Sequence, residues 1–189
     1  MGRLSSPRVL GAVFSPLIVL LVLLSCSQGS AQLSLPPGPL AGDDYDGKRH
    51  STVCLSARRA GDEFTSMVWP LENFESTNLT IAEVRLVNPV GVEAMAFYIA
   101  RLGDSVPIGY DHWPPEIPDH QDLYSRRQPA ENAEVPARSG IYWLFAHFRT
   151  PSRNGSFDAF DIRYKNANGE QFSFLTATRL EIEPSCLDS

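Results

Sequence analysis

No Gly-x-Ser-x-Gly, no glycine-rich phosphate loop, no His-Glu-x-x-His and no Cys-x-x-Cys occurs in this chain of 189 residues. It therefore lacks the local signatures of a hydrolase nucleophile elbow, a nucleotide cradle, a zincin helix and a dithiol or zinc motif. Basic residues are scarce: 16 Lys and Arg stand against 22 Asp and Glu, for a net charge of -6. That balance repels phosphate backbones and anionic lipid surfaces, which argues against nucleic-acid binding. Arg58-Arg59 and Arg126-Arg127 are isolated pairs rather than a basic stripe. An uninterrupted apolar run of about 20 residues, the length of a spanning helix, is also missing. The sequence implies no cofactor, and nothing in it identifies an enzyme.

A shorter apolar run is present. Arg3 and Arg8 make a basic start, and residues 9–24 are apolar apart from Gly11, Ser15 and Pro16. Residues 17–24 are continuous Leu, Ile and Val. A basic start followed by a short apolar segment is the pattern of a secretory signal. Two cleavage readings compete, beside the alternative of an uncleaved N-terminal anchor. Leu23-Leu24-Ser25-Cys26 resembles a bacterial lipobox, in which the cysteine is acylated and becomes the new N-terminus; Leu24 is bulkier than the usual middle residue. The rival is cleavage after Ala31, with Gly29 and Ala31 as the small residues. The lipobox is preferred because Cys26 directly follows the apolar segment. Two or three acyl chains hold a protein at a bilayer stably, at about 0.8 kcal/mol per buried methylene. The expected division is a signal peptide at 1–25, a flexible tether at 26–50 and one domain at 51–189. Loss of Arg3 and Arg8 leaves 14 basic residues against 22 acidic, a mature net charge of -8.

With Cys26 as the lipid site, Cys54 and Cys186 remain as an even pair in an oxidising compartment. A disulfide between them is the expectation, clipping the first strand to the last. In the chain-entropy account a closed loop of that size contributes roughly 4 to 5 kcal/mol. Neither cysteine has a neighbouring histidine to activate it.

The tether carries Leu35-Pro36-Pro37-Gly38-Pro39, extended and partly stiff, then an acidic stretch at 42–47. Asp44, Asp46 and Gly47 form only a fragment of a calcium loop, so this is read as solvated linker. From Ser51 the chain alternates in strand fashion. Short strands are expected at 52–55 and at 64–69, the latter stopped by Pro70. Residues 79–87 and 91–101 are read as a β-hairpin about Asn88-Pro89, with Ala82, Val84 and Leu86 on one face. A helix over 92–100 is the alternative. Residues 140–148 are apolar at nearly every position, which predicts a central strand covered on both faces. Turns are expected at Asn154-Gly155 and at 166–169. Phe160, Ile162 and Tyr164 face inward opposite Asp161 and Arg163, and one long final strand runs from Phe172 towards Cys186. Short strands punctuated by Gly, Asn and Pro predict an all-β antiparallel β-sandwich, immunoglobulin-like in outline.

Residues 103–139 interrupt this pattern as a long Pro-rich insertion. Pro107, Pro114, Pro115, Pro118, Pro129 and Pro136 forbid long regular elements there, and short strands are expected at 106–110 and 123–126. Long loops in compact domains tend to be functional. Tyr110, His112, Trp113, His120 and Tyr124 are accordingly the candidate binding surface, for a glycan or a peptide. The competing reading is a satellite hydrophobic cluster that pins the loop. His112 and His120, with Asp111, Asp119 and Asp122, are metal ligands in type, but their loop spacing defines no site. Asn78-Leu79-Thr80 and Asn154-Gly155-Ser156 are glycosylation sequons, relevant only in a eukaryotic secretory pathway.

In layout the chain resembles small exported lipoproteins of actinobacteria that have no assigned function. The shared components are the lipobox, the linker, Cys54 in Val53-Cys54-Leu55, the Tyr-x-Arg of Tyr124 and Arg126, an Asn-Gly turn and Cys186 closing the fold. The resemblance covers Cys26 to Cys186 and rests on no diagnostic motif. It implies an immunoglobulin-like sandwich outside the membrane, with no catalytic residues to carry over. The leading expectation is an exported, lipid-anchored, non-enzymatic module that meets a cell-envelope protein or glycan. The alternatives are a freely secreted eukaryotic glycoprotein or adhesion-type domain, and an extracytoplasmic metal-binding protein or enzyme.

Overall fold

Strand follows strand along most of the chain. The computed structural model describes residues 38–41, 51–102 and 109–186. In chain order the elements are β1 (Leu40–Ala41), β2 (Ser51–Ser56), β3 (Glu63–Asn73), β4 (Leu79–Val87), β5 (Glu93–Arg101) and β6 (Gly109–His112). Then come α1 (Pro118–Ser125), β7 (Gln128–Pro129), β8 (Glu134–Val135), β9 (Ile141–Arg149), β10 (Gly155–Phe157), β11 (Ala159–Lys165), β12 (Gln171–Leu175) and β13 (Thr178–Glu183). One layer is a six-stranded sheet in the order β1-β3-β9-β5-β7, with β6 also on β3. The other is split into β12-β11-β4-β8 and β10-β13-β2. The pairings are antiparallel except that of β2 with β13, which is parallel. The fold is thus the expected β-sandwich, with its second layer in two pieces.

The core lies between the layers. From the six-stranded sheet come Phe64, Trp69, Leu71, Ile99, Leu144, Ala146 and Phe148; Ile81, Phe160, Ile162, Tyr164, Phe174, Leu180 and Ile182 come from the facing sheets. Aromatic rings bridge the layers: Trp69 and Phe160 lie 4.0 Å apart by centroid, and Phe97 meets Phe160 edge-on at 5.9 Å. Outside this core Asp161 of β11 is only 7% exposed. It accepts hydrogen bonds from Arg85 (2.9 Å), Arg163 (3.1 Å) and Ser173 (2.9 Å), so the polar face of that strand is an ion-paired lattice.

Several expectations need correction. Residues 79–101 do not form a hairpin: β4 and β5 lie in different layers, and Asn88 and Gly91, both at positive φ, turn the chain across the sandwich. This crossing is bridged to the β9–β10 crossing by Val90 and Ser156. A Cβ on Gly91 would lie 2.7 Å from the Asn154 carbonyl oxygen, so the two crossings approach too closely for a side chain there. Ala82 does not share a face with Val84 and Leu86. A bulge opposite Arg163/Tyr164 shifts the register, so Ile81 points inward and Ala82 is exposed. Pro70 does not stop β3. It falls between the reach of β6, which ends opposite Met67, and that of β1, which begins opposite Glu72. A missing N–H is tolerated at such an unpaired edge. The final strand breaks after Leu175 into β12 and β13, where Phe160 N–H donates to the Thr176 hydroxyl at 2.9 Å. The expected strand at 123–126 is instead the end of α1.

Part of the expected tether packs on the domain. Cys26 and the signal segment lie outside the described residues. Within the expected tether, however, Leu40 is 2% exposed and β1 pairs with β3. Its N–H donates to the Tyr164 hydroxyl at 3.1 Å. Cys54 and Cys186 are disulfide-bonded, with Cα atoms 5.7 Å apart.

If the folded part begins before Ser51, Leu40→Ala should destabilise the domain by about 2–5 kcal/mol, the range for truncating a buried leucine. A urea titration checks this; an unchanged midpoint would return residue 40 to the tether.

Candidate functional site

Alternation along β9 sends side chains in two directions. Leu144, Ala146 and Phe148 enter the main core, while Trp143 and Phe145 belong to a second cluster with Ala100 and Leu123. Tyr98, Leu102 and Tyr124 pack against that cluster, so α1 lies as a cover over the outer face of the six-stranded sheet. Trp113, one residue past β6, lies over the same face. Its ring stacks on His147 at 3.9 Å and 7°, lies nearly parallel to Tyr98 at 5.7 Å, and meets Tyr124 edge-on at 5.1 Å. The Arg127 guanidinium sits 3.5 Å from the Tyr124 ring centroid, a cation–π contact.

Two histidine–carboxylate pairs hold this face. His147 Nε2 is 2.9 Å from Glu63 Oε2. His120 Nδ1 is 3.4 Å from Asp111 Oδ2, with both side chains buried. Asp111 also stands in for a helix cap. Ile117, the residue before α1, has no side-chain cap, and Asp111 accepts the N–H groups of Glu116 (2.7 Å) and Ile117 (2.9 Å) as well as that of His112 (2.8 Å). Burial opposes the charge on Asp111. The three backbone N–H donors of Ile117, Glu116 and His112, together with His120, outweigh it and hold its pKa below the usual 3.8.

The five predicted surface residues do not form one surface. Strand alternation in β6 turns Tyr110 and His112 inward, opposite Ser66 and Phe64. Tyr110 packs edge-on against Trp69, and burial pushes its pKa up despite the nearby Ser66 hydroxyl. The His112 ring stacks on Phe64 at 5.7 Å. Trp113 and Tyr124 do come together on the outer face. His120 is a buried residue of α1 itself, 3% exposed. His112 and His120 thus lie on opposite sides of β6, Asp122 pairs with Arg126, and among the described residues no three potential metal ligands gather. The partners of His147 and His120 are the carboxylates of Glu63 and Asp111.

A polar groove of about 560 Å³ runs beside Trp113, lined by Arg58, Arg59, Asp62, Glu63, His112 and Glu116. The turn after β2 presents Arg58. There Asp62 accepts the backbone N–H groups of Arg58 and Arg59 and pairs with the Arg59 guanidinium at 3.1 Å. Sequence reasoning missed Arg58, Glu63, Tyr98, Phe145, His147 and Arg127 as parts of this region. Strand alternation puts Phe145 and His147 on one face, but nothing local shows that Trp113 folds onto it.

Fold and site together define an all-β sandwich with an aromatic patch and an adjoining polar groove. No family model matches the chain, and no curated protein matches it. One solved structure is similar, the ASH / PapD-like domain of human CEP192 (PapD-like domain 7). It has 10% identity and a TM-score of 0.39 over 97% of this chain and 99% of that one, a likeness too low to carry a functional argument.

Asp111→Ala should cost about 1 kcal/mol, the scale of a lost helix cap, because the N–H groups of His112, Glu116 and Ile117 lose their acceptor. The pH dependence has a definite sign. A depressed carboxylate pKa contributes stability that is present above 3.8 and lost as pH falls through the lower folded value. Urea midpoints measured above and below that window should converge for wild type and variant in acid; a constant difference would remove Asp111 as the titrating anchor.

Proposed function

We propose that this protein is an exported, lipid-anchored, non-catalytic binding module of the cell envelope, engaging a protein or glycan partner at the groove beside Trp113. The observation that carries this reading is the tryptophan itself. Trp113 is half-buried, and its position is set by His147, Tyr98 and Tyr124 at the wall of a polar groove. A rigid aromatic anchor beside polar partners is what binding surfaces concentrate. Export is supported by the basic start and apolar run before Cys26 and by the Cys54–Cys186 disulfide, a bond that persists in oxidising compartments.

The freely secreted glycoprotein is the second reading. It is favoured by Asn154, an exposed sequon residue in the loop between β9 and β10. By contrast the Asn78 amide already donates to Glu134 at 3.1 Å and accepts from Ala137 at 3.1 Å.

The intact mass of the mature protein from its native host separates these readings. The expected mass is that of a chain beginning at acylated Cys26, gaining two hydrogens on reduction. A lipid-free start at Gln32 would overturn the anchor, and attached sugar would favour the second reading. For the binding surface, immobilised wild-type chain and Trp113→Ala are compared for partner capture from envelope extract. Capture should fall roughly tenfold or more if Trp113 is a hot spot. Undiminished capture by a folded Trp113→Ala chain would overturn that role.

A further inference from the structure

A second cavity adjoins the groove. It has a volume of about 280 Å³ and lies between the end of β2 and β6, lined by Leu55, Ser56, Arg58, Phe64, Tyr110, Asp111 and His112. Arg58 and His112 line both spaces. The charges around them are nearly all neutralised within the protein. Arg59 is paired with Asp62, His147 with Glu63, and Asp111 is held by His120 and three backbone N–H groups. Arg58 differs. Its backbone N–H is bonded to Asp62, but its guanidinium forms no ion pair or hydrogen bond among the described residues. Glu116, whose carboxylate has no ion pair among the described residues, lines the larger groove and not the smaller cavity.

We propose that the smaller cavity is a binding site for a small organic carboxylate. The carboxylate is held by Arg58 with His112, and the apolar part of the ligand lies against Leu55 and Phe64. A planar guanidinium meets a carboxylate with two parallel hydrogen bonds, which suits Arg58 to this class of anion. Leu55 is partly buried against the main hydrophobic cluster and Phe64 is 4% exposed, so this part of the lining is apolar and held in place by the core. One or two placed polar groups on an apolar wall are the usual make-up of a small-molecule site. This inference rests on reading the neighbouring groove as a binding region, and names its small-molecule chemistry.

The test uses the full mature chain and three probes: benzoate, the neutral isostere benzamide, and inorganic phosphate. Proton NMR follows the His112 ring during each titration. Benzoate should give saturable shifts at millimolar concentration, binding about tenfold more tightly than benzamide, the scale of one charge-assisted contact. Arg58→Gln should remove that preference while leaving the thermal midpoint unchanged, and Arg58→Lys should restore it in part. Equal binding of benzoate and benzamide, or no saturable shift with benzoate, would overturn the site. Phosphate binding as tightly as benzoate would overturn the organic class, because the apolar walls would then contribute nothing. These outcomes are independent of partner capture by Trp113→Ala, so the failure of one reading does not pass for failure of the other.

Discussion

Strand β9 has to hide both of its faces. It lies between β3 and β5, and Trp143, Leu144, Phe145, Ala146 and Phe148 are all buried along it. One face meets the opposite layer of the sandwich, as an antiparallel sheet requires. The other would lie bare, with Trp143 and Phe145 exposed to water, and covering that apolar strip is favourable. The insertion between β5 and β9 resolves this by folding back across the sheet as α1, with Leu123 and Tyr124 over the strip. The aromatic patch is a consequence of that cover: Trp113 and Tyr124 are where the covering segment meets the sheet.

The cover is attached by polar chemistry rather than by helix propensity. An eight-residue helix is marginal by itself, and this one begins at Pro118 without a side-chain cap. Asp111 supplies from β6 what the helix start lacks, and its pairing with His120 ties the first turn of α1 to the sheet. Proline at the first helical position loses nothing, because that N–H would be unpaired anyway. The prolines that rule out a long element in this region therefore still allow a short one.

How much of this was legible depended on whether the information was local. Period-two alternation identified β9 as central and β11 as a strand with one polar face, because burial is written residue by residue. The cysteine count led to Cys54 and Cys186 by the same kind of counting. Sheet membership was not legible. Asn88-Pro89 reads as a hairpin turn, yet the chain crosses to the other layer there, and a turn motif does not say which sheet the next strand joins. The bulge at Ala82 reversed a face assignment, since one extra residue inverts the alternation. The candidate surface was half legible for a similar reason. Tyr110, His112 and Trp113 are neighbours in sequence, but strand parity separates Trp113 from the other two. His147, which Trp113 stacks on, lies 34 positions further along.

The disulfide bears on the site as well as on stability. β2 is an edge strand, held in its sheet by β13 in a parallel pairing of six residue pairs. A six-residue pairing at an edge is a weak attachment, since edge strands are bonded along one side only. Leu55, Ser56 and Arg58, which form one wall of the cavity facing β6, hang from this strand and the turn after it. The Cys54–Cys186 bond joins the middle of β2 to the chain just past β13. It therefore adds a covalent tie to a wall whose strand is paired on one side alone. The other wall belongs to β6, which is anchored through β3 to the six-stranded sheet. In an oxidising compartment the cavity has two firm sides; under reducing conditions the β2 side keeps its pairing with β13, the core packing of Val53, Leu55 and Ala57, and the Arg153 hydrogen bond to the Ala57 carbonyl.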